Sequence, residues 1–276
     1  MNNRSIEIAR HAAVDEGAVV ERLAAQLDAR YGQLPAADML RAVIEREFVG
    51  EVAVVSSFGA EAAVILSLVA EVDRATPVIF LETGKHFPET LAYRDELASR
   101  LGLTNVLSIE PSSVDVASQD PDRQLWQRNG DLCCRLRKVV PLEGALSGYA
   151  AWITGRKRFH GGERWELPHF EASAGRIKIN PLATWTPAQL GEAFRERRLP
   201  VHPLVARGFR SIGCAPCTRP VAEGDTVRSG RWAGTEKTEC GIHRAPWFEG
   251  SGGLAEPSPD QDQRHGQHHD GSGQHP

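Results

Sequence analysis

Residues 51–111 read EVAVVSSFGA EAAVILSLVA EVDRATPVIF LETGKHFPET LAYRDELASR LGLTNVLSIE P, and this stretch decides the fold. EVAVVSS (51–57) is a short Val-rich run of the kind a strand covered on both faces needs, and AEAAVILSLVAEV (60–72) is long enough to be a helix. PVIFLET (77–83) is a second buried strand. A helix at 87–103 is opened by Pro88 and closed near Gly102, and NVLSIEP (105–111) is a third strand. Strands separated by helices of this length are βαβ units, which demand a parallel sheet with right-handed crossovers. AAWITG (150–155) and RIKINPL (176–182) extend the strand series, and TPAQLGEAFRERRL (186–199) adds a helix with Thr184 or Thr186 near its cap. The fold class is therefore α/β, a Rossmann-like parallel sheet with helices on both faces.

Upstream, VVERLAAQLDARYG (19–32) and ADMLRAVIEREF (37–48) carry apolar residues at helical spacing and read as packing elements. Three units follow: residues 1–48 as N-terminal helices packed on the core, 49–249 as the catalytic domain, and 250–276 as a disordered tail rich in Gly, Ser, Gln, Asp and His. An inert solvated tail is the plain reading of that last segment; a loose metal contact by His265, His268, His269 and His275 is the alternative.

The 276 residues carry 32 Lys plus Arg against 36 Asp plus Glu, a formal charge of -4. That balance argues against an extended nucleic-acid surface, and no apolar run reaches the roughly 18 to 20 residues that cross a bilayer. MNNRSIEIARHAAVDEG has no basic flank, apolar core or cleavage site, so a cytoplasmic location is expected. The charge is unevenly spread: -7 over residues 1–150, +6 over 151–249 and -3 over 250–276. A basic segment inside an acidic chain suggests an anionic ligand, with a solvated helix face as the alternative.

In open α/β sheets ligands sit beyond the carboxyl ends of the strands. That rule selects the loop Ser56-Ser57-Phe58-Gly59-Ala60-Glu61, the loop Glu82-Thr83-Gly84-Lys85-His86, and Thr154-Gly155-Arg156-Lys157-Arg158. Small hydroxyl residues and glycine let backbone N–H groups approach a phosphate, and a helix N-terminus after the first loop favours negative charge.

Five cysteines occur, none before residue 133. Cys133-Cys134 is a vicinal pair in a helix-like stretch, and Cys214-Ala-Pro-Cys217 is a tight turn. Four thiolates in two pairs make a tetrathiolate site for zinc or an iron–sulfur cluster. Neighbouring side chains on a helix diverge by about 100°, which suits separate irons of a [4Fe-4S] cube better than one small ion. A vicinal disulfide with a separate free pair is the alternative. Cys240, in TECGIH, follows Arg219, Arg228, Arg231 and Lys237; cations lower a thiol pKa from its ordinary value of ~8.5, and Gly241 should leave the sulfur accessible. A nucleophile is therefore favoured over an inert packing cysteine.

SSFGAE, LETGKHFPET, CCRLRKVVPL, ITGRKR, GCAPCTRP, SGRWAGTEK and ECGIH together resemble the assimilatory adenylyl-sulfate reductases, relatives of the phosphoadenylyl-sulfate reductases, over about residues 48–243. The resemblance implies an adenine nucleotide α-hydrolase-like fold with a modified pyrophosphate loop at Ser56 to Glu61. It implies attack of Cys240 on the sulfur of adenosine 5'-phosphosulfate, release of AMP, and release of sulfite from the resulting S-sulfocysteine by thioredoxin or glutaredoxin. It implies a [4Fe-4S] cluster on Cys133, Cys134, Cys214 and Cys217 that does not cycle electrons, with Lys138 between cluster and substrate. Arg228, Arg231 and His243 match positions that face the phosphosulfate, and Gly155 and Arg156 match positions near the nucleotide. The Cys240 segment is expected to be mobile, and a homo-oligomer is compatible with the family. Ile242 stands where Leu is usual, FHGGERWELP (159–168) departs from the common run and leaves the role of Arg164 open, and the His-rich tail lies outside the pattern.

Three competing readings remain at this point. A 3'-phosphoadenylyl-sulfate reductase is one, although that branch commonly lacks the four paired cysteines. A cluster-containing tRNA thiolase would need a broad basic surface. A redox sensor or zinc-stabilised module explains four cysteines and leaves Cys240 idle.

Overall fold

The computed structural model describes residues 3–235 and 237–243. The expected tail at 250–276, with its histidines, lies outside the described residues, as do 244–249. The chain opens with α1 (Asn3–Tyr31) and α2 (Ala36–Ala42), which runs into a π-helical turn at Val43–Glu47. Next come β1 (Val52–Val55), α3 (Ala62–Val72), β2 (Val78–Leu81), α4 (Pro88–Leu101) and β3 (Val106–Ile109). Short helices α5 (Ser113–Gln119), α6 (Leu125–Arg128) and α7 (Gly130–Cys134) lead into a second π-helical turn, Arg135–Val139, and then α8 (Val140–Ala145). β4 (Ala151–Ile153), β5 (Phe170–Ser173), β6 (Arg176–Ile179) and α9 (Pro187–Glu196) complete the regular elements.

The six strands lie in the order β3-β2-β1-β4-β6-β5, all parallel except β5, which runs antiparallel at the edge. That edge strand departs from the expected all-parallel sheet. Its two-residue turn, Ala174-Gly175, has φ of 51° and 73°, the left-handed pair that a tight hairpin matched to strand twist requires.

Alternation along the strands divides the core in two. Val52, Val54, Val78, Phe80, Ala151, Ile153, Ile177 and Ile179 meet Leu27, Met39, Leu66, Leu97 and Leu190 from α1, α2, α3, α4 and α9. Ala53, Ile79, Leu81 and Trp152 face the other way onto Val139, Leu142 and Leu146 around α8. Helices thus cover both faces, as the continuous apolar strands require. Helix ends match the sequence: Gly102 closes α4 in the left-handed conformation, and Thr186 forms a capping box with Gln189 at α9.

A buried ion pair joins the sheet edge to the cysteine-bearing helix. Asp120 is fully buried; its Oδ2 accepts from Arg137 Nη2 at 2.6 Å and Nε at 3.2 Å, and its Oδ1 accepts from the Leu125 N–H at 2.7 Å. Arg137 Nη1 also donates to the Thr83 carbonyl at 2.8 Å. Burial opposes the Asp120 charge, yet Arg137 holds the carboxyl below its usual range. Asp120→Ala leaves a buried guanidinium unpaired and should cost about 3–5 kcal/mol in denaturant unfolding. A loss below about 1 kcal/mol, the level of a surface pair, would show that the pair does not tie these elements together.

Candidate functional site

A cleft of about 200 Å³ opens at the carboxyl ends of β1 and β4. From β1 the sheet grows toward β2 and β3 on one side and toward β4 on the other, so this is the switch point where open α/β sheets bind ligands. Ser56, Ser57, Gly59 and Glu61 line it from the loop after β1, and Gly155 and Arg156 from the loop after β4. Phe58 does not line it. Its side chain is fully buried edge-on to Phe80 at 5.6 Å, its φ is 47°, and its N–H donates to Ser56 Oγ at 3.2 Å. The aromatic anchor turns the loop so that its neighbours face the cleft. A Cβ on Gly59 would stand 3.0 Å from the Ile212 carbonyl oxygen, so the loop can pack against the 210–213 segment only without a side chain there.

Cations dominate the lining: Lys138, Arg156, Lys157, Arg164, Arg210, Arg228 and Arg231, against the carboxylates of Glu61 and Glu239. Arg164 Nε donates to Glu239 Oε2 at 2.6 Å and Arg228 Nη2 to Glu239 Oε1 at 3.2 Å. Burial works against the Glu239 charge, but Arg164 and Arg228 hold its pKa at about 2. Arg156 pairs with Glu171 and Lys157 with Glu61 at 2.5 Å. Arg231 makes no ion pair among the described residues, and its buried Nε has no hydrogen-bond partner there. Its guanidinium lies where a side chain on Gly213 would be, 2.4 Å from a Cβ built at that position, and 4.5 Å from the Trp232 ring centroid. His243 stacks on Trp152 with centroids 6.2 Å apart and planes at 1°. Burial, then Lys178, Arg156, Arg164 and Arg228, push its pKa well below the ordinary imidazole value, so it is neutral.

Cys240 lines the same cleft but is buried, 7 % exposed, rather than accessible as Gly241 had suggested. The glycine has a different use: a Cβ there would approach Val139 Cγ2 to 3.1 Å, so its absence lets the segment pack down. Cys240 is hydrogen-bonded to Cys134, and its pKa is pushed well below the ordinary thiol value. That bond is the largest cause, followed by the Lys138 ammonium, the Ile242 N–H and Arg231, against burial.

All five cysteines are free, so the vicinal disulfide is not formed. The adjacent pair diverges as helix geometry requires: Cys133 packs with Leu125 and Leu136, Cys134 with Trp232 and Cys240. Cys217 packs beside Cys134, and Thr83 Oγ1 lies 3.3 Å from Cys214 Sγ. Burial, reinforced by Cys214, pushes the Cys133 and Cys217 thiols up. Lys138 is surrounded by Cys214, Cys240 and Cys134, which raise its pKa against the effect of burial. The π-helical turn, in which the Val140 N–H bonds to the Arg135 carbonyl, follows directly on Cys134 and contains both Arg137 and Lys138.

The structure thus gathers Ser56, Ser57, Gly59, Glu61, Lys138, Gly155, Arg156, Arg228, Arg231, Cys240 and His243 around one cleft. Thr83 and Gly84 do not join them; they face Cys214 and Arg137. Arg219 is also turned away, donating to the Thr218 carbonyl, and Lys237 pairs with Asp131. Sequence reasoning missed His160, Lys178 and Glu239 and left Arg164 open. The signal for Arg164 lay in the departure at 159–168, and that for Glu239 in its place beside Cys240.

Comparison with known proteins accords with this geometry. The model of the phosphoadenosine phosphosulfate reductase domain matches residues 51–220. An adenosine 5'-phosphosulfate reductase of Mesorhizobium japonicum is 51% identical over 229 residues, 83% of this chain and 89% of that one. Its namesake in Mycobacterium tuberculosis is 46% identical over 185 residues, 66% and 72% of the two chains. Among solved structures, phosphoadenylyl-sulfate reductase from Candida auris, a phosphate complex, superposes with a TM-score of 0.61 at 29% identity, covering 71% of this chain and 96% of that one.

Glu61 offers a pH test of the cleft. Burial opposes its charge, but Lys157 and His160, with Nε2 at 3.0 Å, hold it at about 2 against an ordinary 4.5. A carboxyl lowered on folding stabilises the chain above its ordinary value, and that contribution is lost as pH falls toward the folded value. Stability measured from about pH 5 downward should therefore decline less steeply in Glu61→Gln than in the parent chain. Parallel declines would show that Glu61 is not held as an ion.

Proposed function

Because the chain belongs to the phosphoadenosine phosphosulfate reductase family, we propose that it reduces adenosine 5'-phosphosulfate to sulfite and AMP, with Cys240 as the nucleophile. One observation carries this reading: Cys240 lines a cleft at the sheet's switch point together with Lys138, Arg164, Arg228 and Arg231. The Cys240 sulfur attacks the sulfate sulfur, the bond from that sulfur to the bridging oxygen breaks, and AMP leaves with the electron pair. Cys240 is left as S-sulfocysteine. A dithiol partner, thioredoxin or glutaredoxin, then attacks the Cys240 sulfur. Sulfite departs with the electron pair of the S–S bond, and the partner's second thiol resolves the mixed disulfide, so the partner is oxidised and Cys240 regenerated.

The residues divide the work by position. The loop Ser56 to Glu61 and the N-terminus of α3 bind the phosphate, with Phe58 as the buried anchor that shapes the loop. Gly155 and Arg156 flank the nucleotide. Arg228, Arg231 and Arg164 offset the charge on the sulfate and on the departing phosphate oxygen, in a site where low polarity makes each cation count for more. Neutral His243 holds the floor beside them. Identity of 51% to an adenosine 5'-phosphosulfate reductase, against 29% to a phosphoadenylyl-sulfate reductase, favours the substrate without a 3'-phosphate.

Cys133, Cys134, Cys214 and Cys217 would hold a [4Fe-4S] cluster. The donor chemistry suits it: all four cysteines are free, Cys133 and Cys217 lie within electrostatic reach of Cys214, and Cys134, Cys214 and Cys217 lie within reach of Lys138, although among the described residues no three His, Cys, Asp or Glu side chains are grouped as a metal site. When bound, the cluster supplies a fixed negative charge and ties α7 to the 214–217 turn. Lys138 then carries its ammonium between that charge and the substrate, and Thr83 and Gly84 support the cysteine side. We place this chemistry in the cytoplasm, in the unit 49–249 with 1–48 packed on it, and consider a homo-oligomer compatible with it.

Cys240→Ser tests the assignment. The variant should keep the broad visible absorption of an iron–sulfur protein when purified anaerobically, keep nucleotide binding, and form no sulfite above background. Unchanged sulfite formation would remove Cys240 from the mechanism, and a colourless parent protein would point to zinc instead of the cluster.

A further inference from the structure

Glu239 stands out because neither the family motif nor the proposed chemistry gives it a task. It is 4 % exposed, yet it belongs to the short segment that carries the nucleophile. Its carboxylate takes hydrogen bonds from Arg164 at 2.6 Å and Arg228 at 3.2 Å, and it accepts the N–H of Cys240 itself at 2.9 Å. Arg156 and Lys178 lie within electrostatic reach of it; both pair with Glu171, and Glu163 also acts on Arg156.

Buried cations need an anion, and a carboxylate bridging two guanidiniums meets that need in the same way as a sulfate or phosphate oxygen pair. The arginines that Glu239 bridges are those assigned above to the phosphosulfate. Two anions cannot share them without like-charge repulsion in a poorly screened site. Glu239 and the nucleophile are also consecutive residues, so their Cα atoms stay about 3.8 Å apart whatever happens to the carboxylate. In the arrangement seen here Cys240 packs with Cys134 and Trp232.

We propose that Glu239 is a positioning residue, an internal counter-anion that fills the phosphosulfate subsite in the substrate-free chain and is displaced by the arriving substrate, which thereby moves Cys240 away from Cys134 and onto the sulfate. The inference rests on the proposed reaction. Part of the cleft's positive charge is offset while it is empty, and the nucleophile is released from its resting contact only when an anion of the right size is present.

The experiment uses the full chain with Cys240→Ala, which binds substrate without turning it over. Titration calorimetry with adenosine 5'-phosphosulfate should show tighter binding, on the order of tenfold, when Glu239→Gln is added, because the amide keeps the shape and loses the competing charge. Unchanged or weaker binding in the Gln variant would overturn the proposal, since a merely structural Glu239 can only lose affinity when altered. If the Gln variant does not fold, limited trypsin digestion of the Cys240→Ala chain decides. Cleavage after Lys237, which pairs with Asp131 in the docked segment, should quicken several-fold with adenosine 5'-phosphosulfate, and slower or unchanged cleavage would overturn the proposal. Absence of any binding to the Cys240→Ala chain would overturn the proposed reaction itself, which separates the two failures.

Discussion

Surplus positive charge buried at one end of a parallel sheet is the constraint on which the rest of this protein depends. Arg156, Arg164, Lys157 and Lys178 are each less than 9 % exposed, and Arg228 and Arg231 join them at the cleft. Water cannot solvate such groups, so each must find an anion or lose its charge. Glu61, Glu171 and Glu239 serve that purpose for most of them, and Arg231 remains without an ion pair among the described residues. The sheet makes the arrangement tolerable because its switch point opens a cleft onto which these cations face.

The same electrostatics govern the sulfur chemistry. Lys138 sits among three cysteines, and its charge is supported by them as theirs is by it. Cys240 gains its thiolate character from neighbours on three elements: Cys134 at the end of α7, Lys138 in the π-helical turn, and Arg231 in the 228–231 segment. No single motif creates this environment. It arises where the folded chain brings these segments together, and the Asp120–Arg137 pair and the narrow packing at Gly59, Gly213 and Gly241 hold those segments in place.

Much of this was legible in the chain. The alternation of Val-rich strands and amphipathic helices between Glu51 and Ile109 determines the parallel sheet, and the rule that ligands sit at strand carboxyl ends locates the cleft from Ser56 and Gly155 alone. The +6 charge of residues 151–249 reappears as Arg156, Lys157, Arg164, Arg210, Arg228 and Arg231 lining the cleft, although the individual pairings were hidden. What could not be read depends on contacts distant in sequence. Phe58 looks like a loop residue until Phe80 is found beneath it, and Thr83 looks like a phosphate ligand until Cys214 is found beside it. The antiparallel strand Phe170–Ser173 is too polar to announce itself, and the π-helical turn after Cys134 carries no compositional signal. The place of Glu239 beside Cys240 was visible, but its use was not until Arg164 and Arg228 close on it.

The central claim is that the Cys240 sulfur receives the sulfonate group from adenosine 5'-phosphosulfate within this cleft. Mass spectrometry of the intact protein and its peptides, after anaerobic incubation with adenosine 5'-phosphosulfate and no reductant, tests it most directly. The account predicts one added SO3 group per chain, located on the peptide containing Cys240, with AMP released in equal amount. An unmodified Cys240, or an SO3 group carried by any other residue, would contradict it.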